Sequence, residues 1–277
     1  MLTQPKPGEA EDLFQTLIAD LRSSRKYRHL DIPEETLRDL LTQEALPQRS
    51  HKEVIKAVRE KLHNIVAPYL GDPDYHQAAE WLNQAFEEGS DCAVQAVCLQ
   101  LLQSHASTQE RIPLMDQIYP ALWAVTGKPT VLLDLACGLH PFSLPWMGLD
   151  KGVEYLAYDI HKARIDLIDQ FFQLFGQAGK AFHKDILVNP PQISADVALF
   201  FKEAHRFEQR QRGCNLAFWR ALDVRWLVVS LPSTSLSGSR SLAIRQRSLV
   251  TRILKDDPWP VTELEIGNEI FFCIKKK

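Results

Sequence analysis

Leu133-Asp134-Leu135-Ala136-Cys137-Gly138-Leu139-His140-Pro141 is the stretch on which the reading of this chain turns. The run 131–137 is short, apolar and branched, and it passes directly into a turn of small residues. Buried parallel strands have that composition, and a small-residue turn lets backbone approach a ligand at the carboxyl edge of a sheet. The segment lacks the further glycines of a G-x-G-x-x-G loop and the Gly-Lys-Ser/Thr end of a phosphate-binding loop. Taken alone, it would serve equally well as an ordinary strand-to-helix turn.

Downstream, further β-rich runs at 155–160, 180–186, 197–202 and 226–231 alternate with helical stretches. The runs 261–266 and 269–274 flank Gly267-Asn268. Strands separated by helices imply right-handed βαβ units, whereas the last two are close enough only for a hairpin. The expectation is an α/β fold, a Rossmann-like class I methyltransferase sheet whose parallel strands end in an antiparallel hairpin. Asp159 closes the second strand 21 residues after Gly138, the spacing at which an acid reaches ribose hydroxyls. Asp185 closes the third, where a carboxylate can accept from an adenine amino group with the backbone of Ile186 alongside. One such aspartate is often only a helix cap. Three successive strand ends, each with a suitable group, suggest an adenosine pocket.

Upstream, the first 115 residues read as helices, near 12–21, from Pro33, and at 51–66, 75–88 and 92–102. Ser50 followed by Glu53 has the form of a capping box. In the helix behind it Val54, Ile55, Val58, Leu62 and Ile65 turn inward, and Lys52, Lys56 and Arg59 line the opposite face. In His105-Ala106-Ser107-Thr108-Gln109-Glu110-Arg111, Ser107 and Glu110 suggest a second box. Its helix N-terminus, with the fork of Arg111, could hold an anionic carboxylate. The division expected is an all-helical N-terminal domain, 1–106, and a sheet domain, 107–277.

Composition narrows the classes. With 277 residues, 45% of them hydrophobic, the chain can bury a substantial core and is not a disordered tail. No apolar run approaches the roughly 18 to 20 residues that span a bilayer, so a cytoplasmic protein without membrane contact is expected. Five cysteines form no CxxC pair and nine histidines show no ligand spacing, so neither disulfides nor a metal is expected. The net charge of −3 conceals a segment, 202–255, with eleven basic and three acidic side chains. It could face a polyanion or be a solvated basic surface. Trp146, Trp219, Trp226 and Trp259 lie among apolar neighbours and read as core.

With these segments in place, the chain resembles the aminoglycoside-resistance 16S rRNA methyltransferases that modify N7 of guanine 1405 in the small ribosomal subunit. The blocks carrying the resemblance run in order along nearly the whole chain: Ser24-Arg25-Lys26-Tyr27, Lys61-Leu62-His63, His105 to Arg111, Asp134 to Pro141, Tyr158-Asp159-Ile160, Lys184-Asp185-Ile186, Phe201-Lys202, and Leu264 to Glu269. The resemblance implies contacts to S-adenosylmethionine from Tyr69, His105, Ala106, Ser107, Arg111, Ala136, Gly138, Asp159, Asp185, Ile186, Phe201 and Gln211. Lys202 would stand beside the methyl-transfer site. Docking on assembled small subunits would fall to Arg25, Lys26, Lys52, Lys56, Arg59 and Arg212. The implied protein is a monomer that binds no DNA.

Two segments depart from the family's pattern. Leu231-Pro232-Ser233-Thr234-Ser235-Leu236 has Thr234 where relatives carry a basic residue, and 242–249 lacks their aromatics; His140 stands where relatives commonly have Asn. Arg240, Arg245 and Arg247 could hold phosphate in compensation. The alternatives left open are a methyltransferase of the same fold with another target nucleotide or with reduced activity, and a non-catalytic RNA-binding homologue.

Overall fold

The computed structural model describes residues 7–23, 31–45, 49–66, 72–234 and 241–277. Seven strands form one sheet: β1 (Val131–Leu135), β2 (Glu154–Asp159), β3 (Gly179–His183), β4 (Ala195–Phe201), β5 (Val224–Pro232), β6 (Val261–Ile266) and β7 (Glu269–Lys275). Their order is β3-β2-β1-β4-β5-β7-β6. The first five pair in parallel, and β7 lies antiparallel to both β5 and β6. This is the expected sheet, with strand limits moved by at most three residues. The chain winds outward from β1 to β3 and then returns to β4 on the other side of β1. A crevice therefore opens between the carboxyl ends of β1 and β4, the switch point at which such sheets bind ligands.

Both faces of the parallel strands are covered. One face packs on α4 (Tyr75–Glu87), α5 (Asp91–Gln103), α7 (Met115–Thr126) and α8 (Lys162–Phe175). The other packs on α9 (Ala204–Arg210), α10 (Cys214–Ala221) and α11 (Ala243–Ile253). A third, separate core joins α1 (Pro7–Ser23), α2 (Glu34–Glu44) and α3 (His51–Val66) through Leu17, Leu40, Val58 and Leu62. The helical domain was expected to run to residue 106, but the cores divide before α4. Leu82, Cys98 and Leu101 share one cluster with Leu122, Leu132 and Phe171. The reason lies in the β1–β2 connection, which holds only a 3-10 turn, His140–Trp146, instead of a full helix. A parallel sheet needs both faces covered, and α4 and α5 help to cover this one.

The Ser50 backbone N–H donates to Glu53 Oε2 at 2.8 Å and Glu53 N–H to Ser50 Oγ at 3.4 Å, so that capping box forms. The second does not. The short α6 (Ala106–Gln109) is capped by His105, whose Nδ1 accepts from Ser107 N–H at 3.4 Å. Glu110 turns elsewhere. Among the tryptophans, Trp219 is fully buried, and Trp146, Trp226 and Trp259 are partly buried against the two sheet cores. No helix among the described residues is long and apolar enough to cross a membrane.

Candidate functional site

The ends of β1, β2, β3 and β4 meet at a cavity of about 800 Å³, walled on the far side by Lys61, Asn64 and Ile65 of α3. A smaller pocket adjoins it, bounded by Arg111, Asp134, Gly138 and Phe201. Among the described residues only two that are not glycine have positive φ, Ala136 at +52° and Lys202 at +60°. They follow β1 and β4 directly, one on each side of the switch point. Left-handed backbone at such residues is disfavoured and gathers at ligand sites.

Asp159 is buried at the end of β2. Its Oδ2 accepts from Gly138 N–H at 3.0 Å and from Arg164 Nη1 at 3.1 Å, and its Oδ1 accepts from His161 N–H at 2.9 Å. The carboxylate thus fixes the β1 turn while still lining the cavity. Arg164, on α8, is itself wholly buried and also donates to Asp72 Oδ2 at 2.5 Å. Asp185, 1% exposed, lies beyond β3 and lines the same cavity with Ile186.

Arg111 departs from its expected part. Its fork is engaged by Glu269 of β7, Nε to Oε2 at 2.9 Å and Nη2 to Oε1 at 2.7 Å, and its guanidinium lies 4.7 Å from the centre of the Phe201 ring. Burial acts to raise the Glu269 carboxyl, but the Arg111 charge and hydrogen bonds prevail and hold it below the usual carboxylate range. Glu110 accepts from Lys202 Nζ at 2.6 Å and from Asn268 Nδ2 at 3.1 Å. Lys202, whose side chain is 12% exposed, is therefore held between carboxylates, with Glu269 Oε2 at 3.5 Å.

Just past Lys202, Glu203 and His205 line the large cavity with Arg206. Burial pushes the Glu203 carboxyl up to about 7 despite Arg206 Nη1 at 2.9 Å. Burial, with the charges of Arg206 and Arg245, pushes the His205 imidazole down to about 4. Below the β1 turn, His140 Nδ1 lies 2.8 Å from Asp134 Oδ2 and its Nε2 lies 3.0 Å from Tyr119 Oη. Tyr155 Oη also donates to Asp134 Oδ2, at 2.7 Å. His140 is thus a buried brace of the turn.

The expected residues do not all meet at one place. His105, Ala106, Ser107, Ala136, Asp159, Asp185, Ile186 and Lys202 line the large cavity, and Arg111, Gly138 and Phe201 the smaller pocket. Gln211 lines neither, because it is the exposed residue that ends α9; Gln209 and Arg210 of that helix reach the cavity instead. Tyr69, Arg25, Lys26 and Arg240 lie outside the described residues. Of the basic candidates, Lys52, Lys56, Arg212 and Arg245 are exposed, whereas Arg59 pairs with Asp20 at 2.8 Å. Arg247 is held by Glu263 and Glu265, at 2.5 and 2.7 Å, and the proposed phosphate role for it meets two carboxylates already in place. Thr234 does line the cavity.

Sequence reading missed Glu203, His205, Arg206 and Arg164. A signal existed for Arg164, an arginine on the apolar stripe that continues through Ile168 and Phe171 of α8. For the other three, the only signal was their place directly after the fourth strand.

The profile of the ribosomal RNA methyltransferase (FmrO) family matches residues 22–274. A 16S rRNA (guanine(1405)-N(7))-methyltransferase of Micromonospora echinospora is 30% identical over 275 residues, covering 96% of this chain and 98% of the relative. One of the same name from Serratia marcescens is 30% identical over 261 residues, covering 94% and 97%. Among solved structures, the 16S rRNA methyltransferase RmtF in complex with S-adenosyl-L-homocysteine aligns with TM-score 0.77 at 26% identity, over 96% of this chain and 99% of that one. The 16S rRNA methylase RmtB aligns with TM-score 0.75, also at 26% identity, over 98% and 100%. The match is not confined to the sheet that many methyltransferases share; it takes in α2, α3 and the closing hairpin, and by that extent the chain belongs to the ribosomal RNA methyltransferase (FmrO) family.

Proposed function

We propose that this protein transfers the methyl group of S-adenosylmethionine to N7 of guanine 1405 of 16S rRNA in the assembled small subunit. The added bulk and charge would block aminoglycosides built on a disubstituted deoxystreptamine. The observation that carries the reading is the convergence of the β1 turn, Asp159 and Asp185 on one cavity of about 800 Å³. The residues present suit an adenosyl group. Gly138 leaves open space where a side chain would stand, and two buried carboxylates stand one at the end of β2 and one just beyond β3. Asp159 would take the ribose and Asp185 with Ile186 the adenine, while His105 to Ser107 would border the amino-acid end.

The bound donor supplies a methyl on a sulfonium, and the protein's task is placement. Guanine N7 carries an in-plane lone pair that needs no deprotonation, so no general base is required and the rate rests on alignment. N7 faces the major groove of A-form RNA, which a protein cannot enter, so the target base must be turned outward to reach the cavity. The methylated base is cationic. Glu110 and Glu269 beside Lys202 offset that lysine's charge, so the cavity wall does not repel the product.

Thr234 on the cavity wall supports a second reading, in which the same chemistry is directed at another nucleotide. One experiment separates the two: expression in a sensitive bacterium, followed by base-resolution mapping of its ribosomal RNA. A new N7 mark at guanine 1405 with a gain of resistance is expected. A mark elsewhere would establish the second reading, and no mark would defeat both.

A further inference from the structure

The Asp185 carboxylate is held by residues far from it in sequence. Thr36 of α2 donates its hydroxyl to Asp185 Oδ2 at 2.8 Å, and both residues are buried, at 0% and 1% exposure. Arg210 of α9 reaches the same oxygen with Nη1 at 2.7 Å and Asp39 of α2 with Nη2 at 2.9 Å. Glu35 Oε1 accepts from the Asp185 backbone N–H at 3.3 Å. The other carboxylate oxygen accepts from Leu187 N–H at 3.1 Å. Thr36, Asp39 and Gln43 form one stripe of α2, and Gln43 Nε2 donates to Asp39 at 3.0 Å while accepting from Lys61 of α3 at 2.9 Å.

A carboxylate offers about four acceptor positions. Thr36, Arg210 and Leu187 occupy three, which leaves one for a ligand's donor. A free carboxylate would turn about its side-chain bonds and present that position over a wide arc. Here two donors fix Oδ2, and both depend on α2.

From this we infer that α2 of the helical domain is a positioning element for the nucleobase of the methyl donor. Thr36 and the Asp39–Arg210 bridge orient Asp185 so that its last acceptor position selects an exocyclic amino group. The inference rests on the adenine role given to Asp185 above. It goes beyond that role in making base selection depend on a helix outside the sheet. Thr36 is thus a positioning residue that touches no ligand.

The test is calorimetric, with the full chain, S-adenosylhomocysteine and its 6-oxo analogue, S-inosylhomocysteine. The wild type is expected to prefer the adenosyl compound. Thr36→Val, which removes the hydroxyl at nearly constant volume, should reduce that preference about three- to tenfold. Thr36→Ser, which keeps the hydroxyl, should retain it. Asp39→Asn, at a partly exposed position, should lower the preference in the same direction and serves if Thr36→Val does not fold. Asp185→Asn examines the underlying reading and should abolish the preference. If Asp185→Asn abolishes it while Thr36→Val and Asp39→Asn leave it intact, the positioning role is wrong and the adenine role stands. If Asp185→Asn leaves the preference unchanged, the adenine role falls and takes this inference with it. Uniform weakening of both ligands by Thr36→Val would mark a structural residue only, and would also overturn the proposal.

Discussion

Gly138 has φ of +55°, and a Cβ placed there would meet no atom within 4 Å. An alanine would therefore suffer only the backbone penalty of the left-handed region, about 1–2 kcal/mol. Gly138→Ala should lower the unfolding free energy by about that amount in urea titration, and a loss of several kcal/mol would contradict the open space. Two neighbours on the cavity wall give a pH prediction. Glu203 keeps its proton in the fold up to about 7 against the usual 4.5, so its contribution to stability declines as pH rises from 4.5 through 7. His205 refuses a proton in the fold down to about 4 against the usual 6.5, so its contribution declines as pH falls from 6.5 through 4. Between 4.5 and 6.5 the two slopes oppose and largely cancel. Glu203→Gln should therefore gain stability relative to the wild type as pH rises from 4.5 to 7, and His205→Gln should gain it as pH falls from 6.5 to 4. Each trend should be on the order of 1 kcal/mol per pH unit at its steepest. Denaturant titrations from pH 4 to 8 read both, and parallel curves for wild type and variants would refute the assignment.

At the scale of elements, α8 is tied to the site by one side chain. Arg164 joins Asp159 at the end of β2 to Asp72, which precedes α4. Removing one partner of a buried ion pair leaves an uncompensated charge and costs about 3–5 kcal/mol. Arg164→Met should be destabilised by that amount and should also weaken S-adenosylhomocysteine, because Asp159 would lose one of its three donors. Full stability with normal affinity would show that the triad does not govern Asp159. The elements themselves were legible in the chain. Val131 to Leu135 and Ala195 to Phe201 are strands buried on both faces, and such strands read as near-continuous apolar runs, interrupted here only by Asp134 and Asp196. What escaped reading was long-range pairing. Glu110 looks like the third residue of a capping box, yet its carboxylate serves Lys202, 92 residues away. Thr36 lies 149 residues from Asp185 and has no local mark distinguishing it from any first-turn threonine. The core boundary was missed for a similar reason. The amphipathic pattern of α4 and α5 shows that each has an apolar face, and only the brief 3-10 turn after β1 shows which surface that face must cover.

For the molecule as a whole, a net charge of −3 works against approach to RNA, so binding must rest on local cationic surface rather than on the overall field. On α3 that surface is divided. Lys52 and Lys56 are exposed one turn apart, Arg59 is drawn to Asp20, and Lys61 turns inward to Glu44 and Gln43. Arg247, at the opposite end of the chain, is occupied by Glu263 and Glu265. The free charges on α3 should therefore carry the pairing with phosphate, and Arg247 should not. Lys52→Glu with Lys56→Glu should weaken binding to small subunits. It should also reduce the slope of log affinity against log salt by roughly one for each phosphate that is no longer neutralised. Arg247→Ala should change that slope little. Neither substitution touches the cavity wall, so affinity for S-adenosylhomocysteine should stay within about twofold of wild type, well under the factor of ten that 1.4 kcal/mol represents. Sedimentation binding at several salt concentrations, paired with calorimetry, separates the outcomes. If the double variant binds subunits as the wild type does, α3 is not the docking face; if it loses both ligands together, the fold rather than the surface has been changed.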